Sequence, residues 1–226
     1  MHASESPSPA VPVTFPDHPA GVAACVVDGT GELSALPLSQ WEDQFLSAEE
    51  HGWIPAGKPN PARRLQWIMA RVAGKSAVIE LIRRQAVKVP LPGMTEISIT
   101  NDKDGAPSVC LPGEAEEGAC RFSVSLAHSG QSAAAAASAG PVGIDMVFLA
   151  RVPKFGWDRI ATAAEVELCR AAAGSGIPAT PMLQLWTAKE AASKAARVGL
   201  GDGVARWRLN AIQQNRWWTI ADQGTG

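Results

Sequence analysis

Apolar and polar positions change rhythm several times along this chain of 226 residues, and each rhythm predicts an element. From Ala62 to Val87, Leu65, Ile68, Met69, Val72, Ala73, Ser76, Ile79, Ile82 and Ala86 form a nearly continuous stripe of apolar or small side chains. Spacings of three and four residues predict one long helix there, tolerating a single Gly at 74. Its other positions carry Arg63, Arg64, Arg71, Lys75, Arg83 and Arg84, which by default predict a solvated basic face. Gly21 to Val27 is a compact apolar run closed by Asp28-Gly29, the pattern of a buried strand and a turn. Thr95 to Thr100 alternates and predicts a strand before the turn cluster 101–105, and Phe122 to Leu126 alternates as a strand leading to His128. Ala133 to Ala137 stays ambiguous: its composition favours a helix, but Gly130 before it and Gly140-Pro141 after it leave little room for one.

Helix starts are marked by Ser39 with Glu42, Ser47 with Glu50, and Thr162 with Glu165, three pairs at capping-box spacing. The stretch 174–181 breaks the helix that Thr162 opens. Leu185 to Ala195 follows, rich in Ala with Leu, Lys and Glu and free of Gly and Pro, so a helix is predicted. Trp186, Glu190 and Lys194 recur every four residues and share one face. Two final runs, Trp207 to Leu209 and Trp217 to Ile220, predict a closing hairpin with a long loop. Residues 1–19 hold five prolines and few large apolar side chains, and are expected to form a flexible leader. No repeat of fixed period is visible.

Composition narrows the function classes. With 46% apolar residues the bulk is globular, and a net charge of −2 supplies no basic excess for a nucleic-acid backbone. Cys25, Cys110, Cys120 and Cys169 are scattered without C-x-x-C or paired His spacing, against zinc and against a disulfide framework. No basic region followed by a long apolar core opens the sequence, and no apolar run is long enough to span a bilayer. A soluble, cytoplasmic protein with no membrane partner is expected.

Candidate chemistry lies in three places. Pro141 to Val147 is a short apolar run holding one carboxylate, Asp145, as a buried strand with a functional end would. An acid there and an acid on a helix, Glu190, can converge on a hard cation, which prefers oxygen ligands. Val124 to Gly130 supplies an imidazole and two hydroxyls, His128 and Ser129 among them, able to donate hydrogen bonds to phosphate oxygens.

These three segments, Val124-Ser125-Leu126-Ala127-His128-Ser129, Val142-Gly143-Ile144-Asp145 and Trp186-x-x-Lys189-Glu190-Ala191-x-x-Lys194-Ala195, in that order, resemble the 4′-phosphopantetheinyl transferases. The chain length resembles the larger, surfactin-type branch. The resemblance implies an α+β fold of two similar α/β halves with pseudo-twofold symmetry, a strand over the alanine run, and a single-chain monomer. The halves would be 20–140, with a coenzyme A-binding helix, and 141–226, with the metal site and signature helix. It implies transfer of 4′-phosphopantetheine from coenzyme A to a serine of an apo acyl or peptidyl carrier protein, as a holo-acyl-carrier-protein synthase does, releasing adenosine 3′,5′-bisphosphate.

By the same resemblance Asp145 and Glu190 bind magnesium, or manganese, and Glu190 serves as base. Lys194 pairs with the phosphate, His128 and Ser129 donate to the pyrophosphate, and Arg64, Arg71 and Lys75 reach coenzyme A phosphates; Lys189, off the Glu190 face, is expected to be structural. Three positions depart from the family pattern: Val147 where the larger branch has a second acid, Phe148 where the short branch has Glu, and Ala106 where a basic residue touches the nucleotide. They imply a two-carboxylate site completed by water, with weaker metal affinity. They also motivate the alternative of a non-catalytic coenzyme A- or carrier-binding module. Carrier proteins are acidic, so Arg151, Lys154, Phe155, Trp157 and Arg159 are the expected docking cluster.

Overall fold

A computed structural model describes residues 10–13, 21–30, 36–54, 60–85, 90–113, 121–148, 158, 160–173, 179–198, 203–213 and 217–222. The architecture is mixed α+β, in two compact units, Met1–Val142 and Gly143–Gly226.

Unit 1 is built around one helix. Strands β1 (Ala10–Val13), β2 (Val22–Asp28), β5 (Ser123–Ser129) and β6 (Ser132–Ser138) form an antiparallel sheet in the order β1-β2-β6-β5. Strands β3 (Ser98–Asn101) and β4 (Pro107–Cys110) make a separate hairpin. Helices α1 (Leu38–Phe45) and α2 (Ala48–Trp53) precede the long α3 (Pro61–Arg84). The alanine run resolves as the strand β6, paired on both sides, from Val22↔Ser138 to Asp28↔Ser132 and from Ser123↔Ser138 to Ser129↔Ser132. Pairing on both edges satisfies every backbone group of that strand, which outweighs the helical preference of alanine. Small side chains also let α3 lie close to the sheet. Gly74 shows how close: a Cβ there would come 2.8 Å from Leu126 Cδ2 on the sheet strand β5, and 2.6 Å from Ile99 Cδ1 on the hairpin strand β3.

Several expectations change. Ala10–Val13, inside the expected leader, pair with β2 from Ala10↔Val27 to Val13↔Ala24. The rest of that leader lies outside the described residues. Helix α1 begins at Leu38 after Pro37 with no side-chain cap, so Ser39 and Glu42 do not form the expected box. The largest difference concerns α3. Residues 68–78 are buried without a break, so its middle has no solvated face. Lys75 is fully buried, and its Nζ donates to the Phe45 carbonyl at 2.7 Å and to Glu50 Oε2. Arg71, also buried, stacks its guanidinium 3.3 Å from the Trp67 ring centre. Two of the six charges that period alone assigns to water, Arg71 and Lys75, are instead buried beside one carboxylate.

That carboxylate, Glu50, is satisfied on every side. The Ser47 backbone N–H donates to its Oε2 at 2.8 Å and the Ile99 N–H to its Oε1 at 3.0 Å, while its own N–H donates to Ser47 Oγ. The capping box predicted from sequence thus forms and then does more than cap. It ties the start of α2, the middle of α3 and the strand β3 together.

Unit 2 contains α4 (Ala163–Ala173), α5 (Ala179–Ala195) and the antiparallel hairpin β7 (Trp207–Gln213) and β8 (Trp217–Asp222). The hairpin has a register shift between Leu209 and Ala211. Helix α5 starts earlier than expected and takes Pro181 into its first turn, where no intrahelical N–H bond is lost. Cys169, Met182, Leu185 and Leu209 form the core. Residues 141–148 carry no regular structure, so the strand expected around Asp145 is not formed.

Unit 2 repeats the buried pair of unit 1. Glu165, in a box with Thr162, takes the Thr162 N–H at 2.8 Å on Oε2 and the Leu209 N–H at 2.8 Å on Oε1. Lys189, fully buried on α5, donates to Glu165 Oε1 and to the Ile160 carbonyl, both at 2.7 Å. In both units the carbonyl lies five residues before the carboxylate and the carboxylate three after its cap. Lys189 is structural, as expected.

Removing one member leaves the other charged, buried and alone. Lys75→Met is expected to lose about 3–5 kcal/mol of stability in denaturant unfolding, and pairing it with Glu50→Gln to restore most of that. Burial alone would raise the Glu165 carboxyl, but donation from Leu209, Lys189 and Thr162 holds it below its ordinary value. Its contribution is therefore complete above the unfolded carboxylate range, near pH 4.3, and fades as pH falls through the lower folded value. Acid unfolding of Glu165→Gln, followed by circular dichroism, should show a flatter stability profile below about pH 4.3 than the wild type.

Candidate active site

The face of α5 that turns inward is set by Leu185, Lys189 and Ser193, all fully buried at four-residue spacing. One residue further on, about 100° around the helix, lies the stripe Trp186, Glu190 and Lys194, half-buried throughout. Glycine governs what meets that stripe. A Cβ at Gly143 would stand 1.8 Å from the Ala191 carbonyl oxygen and 2.8 Å from the Ala195 nitrogen, both backbone atoms. Only a residue without a side chain lets the segment 141–148 lie this close to α5. Asp145 follows two residues later and is delivered onto the Glu190–Lys194 stripe.

Lys194 Nζ donates to Asp145 Oδ1 at 2.8 Å and to the Ile144 carbonyl at 3.1 Å. The Glu190 carboxyl is raised above its usual range, chiefly by burial and further by the Asp145 charge, with Lys194 opposing. Two carboxylates and an ammonium therefore share one partly buried place. The like charges of Asp145 and Glu190 are in mutual repulsion, which a cation would relieve. Carboxylate and carbonyl oxygens are the donors that a hard divalent ion takes. Among the described residues no third His, Cys, Asp or Glu joins them. Val147 is half-buried and Phe148 is 53% exposed.

The other expected site residues lie on unit 1. His128, exposed, and Ser129 end β5 beside the turn at Gly130, whose carbonyl accepts from Gln66 Nε2 at 2.7 Å. That bond fastens the turn to the N-terminal half of α3, which also carries Arg64. Arg64 is partly exposed, with its Nε 2.5 Å from Glu42 Oε1. Arg71 and Lys75 point into the unit, one stacked on Trp67 and the other on Glu50, and neither offers its charge to a phosphate in solution. Their expected place at coenzyme A is corrected accordingly: desolvation keeps such charges where their partners are. The turn at 102–106 closes on Asp102, whose Oδ1 accepts from the Asp104 and Ala106 N–H groups, both at 2.9 Å. The docking cluster Arg151, Lys154, Phe155, Trp157 and Arg159 lies outside the described residues.

Sequence reasoning missed Glu50 and Glu165 as organising residues, although both were visible as box members. A buried Lys follows each after about the same interval, Lys75 and Lys189, and that recurrence was the available signal.

Residues 141–222 match a family model, ACPS, the 4′-phosphopantetheinyl transferase superfamily. That segment holds Asp145, Glu190 and Lys194. No curated protein matches the chain. Among solved structures, a holo-(acyl-carrier-protein) synthase from Bacillus anthracis str. Ames in complex with CoA (3′,5′-ADP) is 17% identical, with TM-score 0.40 over 52% of this chain and 92% of its own. The ACPS–CoA complex of Chronobacterium ammoniagenes is 24% identical, with TM-score 0.40 over 52% and 93%. The acyl carrier protein synthase of Mycobacterium tuberculosis is 26% identical, with TM-score 0.31 over 52% and 93%.

The approach at Gly143 is directly testable. Gly143→Ala must push 141–148 away from α5 and carry Asp145 off the stripe. In a carboxylate NMR titration the raised Glu190 value should then fall part of the way back toward about 4.3. An unchanged titration would show that Asp145 is held by something other than this contact.

Proposed function

We propose that the chain is a 4′-phosphopantetheinyl transferase of the larger, two-half kind, moving 4′-phosphopantetheine from coenzyme A to a carrier-protein serine. The observation that carries this reading is the gathering of Asp145, Glu190 and Lys194 on one face of α5, inside the segment matched by the superfamily model. The same buried Glu–Lys device in each unit supports the two-half assignment.

Asp145 and Glu190 fit a magnesium ion by donor type and by the repulsion it would relieve, and they are its proposed ligands, with manganese as a substitute. Bound there, the ion would supply charge neutralisation for the departing diphosphate. The residues of the chain do the rest. The serine Oγ attacks the phosphorus that bears the pantetheine arm, and the bond from that phosphorus to the bridging oxygen breaks. Adenosine 3′,5′-bisphosphate leaves with the electron pair. The serine proton passes to Glu190, whose raised carboxyl is better matched to accept it than an ordinary one. Lys194, fixed by Asp145 and the Ile144 carbonyl, places a positive charge where negative charge develops. Arg64, His128 and Ser129 are the proposed donors to coenzyme A phosphates; Arg71 and Lys75 are not retained. No described helix is long and apolar enough to cross a membrane.

The site has two carboxylates where the larger branch uses three acids, which favours a second reading: a module that binds coenzyme A or a carrier without transfer. Intact-mass spectrometry of an apo carrier, incubated with coenzyme A, magnesium and the protein, separates the two. Transfer adds the phosphopantetheine mass; Glu190→Gln should slow it by about 10²–10⁴-fold with the fold preserved, and a chelator should stop it. A wild type that binds coenzyme A yet modifies no carrier among fatty-acid, polyketide and peptide-synthetase types would establish the module.

A further inference from the structure

We infer that Phe148, Arg197 and Val198 are residues on which an acidic carrier protein docks as its serine reaches Glu190. This inference rests on the proposed function, which names a carrier serine as acceptor, and adds to it the surface that recognises the carrier. Helix α5 ends in a doubly bonded turn. The Arg197 N–H donates to the Lys194 carbonyl at 3.1 Å and the Val198 N–H to the Ser193 carbonyl at 3.2 Å, the pair of bonds that closes a helix through one left-handed residue. That residue is Arg197, with φ 57°, the one non-glycine residue of positive φ among the described residues. Glycine is the usual occupant, because a side chain in this conformation is strained. The next position commonly folds an apolar side chain back onto the helix. Val198 is instead 41% exposed, and Ser193, which it would cover, is polar and fully buried. The turn departs twice from what stability alone favours, and both departures leave a side chain exposed.

The place of this turn gives it a use. It is bonded to the backbone of Lys194, whose Nζ holds Asp145 at 2.8 Å. Phe148, 53% exposed, stands three residues after Asp145, at most about 11 Å from it along the chain. Among the described residues of unit 2, Phe148 and Val198 are the exposed large apolar side chains, and each adjoins the site. A single exposed apolar residue is ordinary, so it is their shared position that carries the argument. A folded protein that brings a serine to Glu190 must cover what surrounds it. A standard interface takes about 800 Å² from each partner, a disc about 16 Å in radius, and exposed residues bordering Asp145 and Lys194 fall inside it. Apolar anchors with an arginine beside them match a partner whose surface is acidic.

The experiment follows transfer by intact-mass spectrometry to whichever apo carrier, of the fatty-acid, polyketide or peptide-synthetase type, the full-length wild type modifies fastest. Arg197→Gly relieves the strained turn, so its melting temperature by circular dichroism should equal or exceed that of the wild type. A residue with a structural role alone would then leave the kinetics where they were. Instead KM for the carrier should rise about three- to tenfold at low salt, with KM for coenzyme A held. The rise should fade at about 0.5 M salt, where screening acts within a few ångströms. Phe148→Ala combined with Val198→Ala should raise KM for the carrier about fivefold or more at either salt, the usual loss when apolar interface anchors are truncated. An unchanged KM for the carrier in either variant overturns the inference, and so does a rise in KM for coenzyme A in its place. A wild type that modifies no carrier refutes the proposed function and this inference with it, a result distinct from either.

Discussion

Each unit of this protein depends on a carboxylate and a lysine taken fully out of water together. Such a pair contributes little net stability, because desolvation of both ions offsets their attraction. Its leverage comes from the asymmetry of loss. Deleting one partner strands the other, at about 3–5 kcal/mol, a large part of the margin of a small unit. The arrangement therefore penalises any packing in which the lysine-bearing helix is rotated or displaced. Hydrophobic contacts around α3 and α5 supply the bulk of the folding energy but tolerate small slides. The buried pairs do not, since Glu50 and Glu165 each also take a backbone N–H from a strand, Ile99 or Leu209.

What differs between the units is the face next to the one that carries the buried lysine. On α3 that lysine is followed by Ser76 and Glu80, and Glu80 is spent on Arg83 and Arg84. On α5 it is followed by Glu190 and Lys194, with Asp145 brought in by the close approach at Gly143. The same scaffold thus carries an inert face once and a charged, partly buried one once. The segment matched by the superfamily model, 141–222, falls almost wholly in unit 2.

Much of this was readable from period and spacing. The long helix, the strand before His128, the two capping boxes at Ser47 and Thr162 and the Trp186–Glu190–Lys194 face all form. The alanine run needed the family resemblance, because alanine's propensity points to helix and only pairing with β2 and β5 decides otherwise. Arg71 and Lys75 were misplaced for a related reason. A pattern of charges at helical spacing reports a helix face, not whether a distant residue such as Glu50, 25 positions away, waits to neutralise it. Gly143 was legible only as part of a motif. That it exists to bring backbone against backbone required coordinates.

Asp145 sits on irregular backbone and Glu190 on a helix, and Asp145 is brought to that helix by the close approach at Gly143 and by Lys194. The most direct test is anomalous diffraction from crystals grown with Mn²⁺ and coenzyme A. The account predicts one manganese peak about 2.1–2.2 Å from carboxylate oxygens of both Asp145 and Glu190. A peak bound by neither residue, or by one with the other turned away, would contradict it.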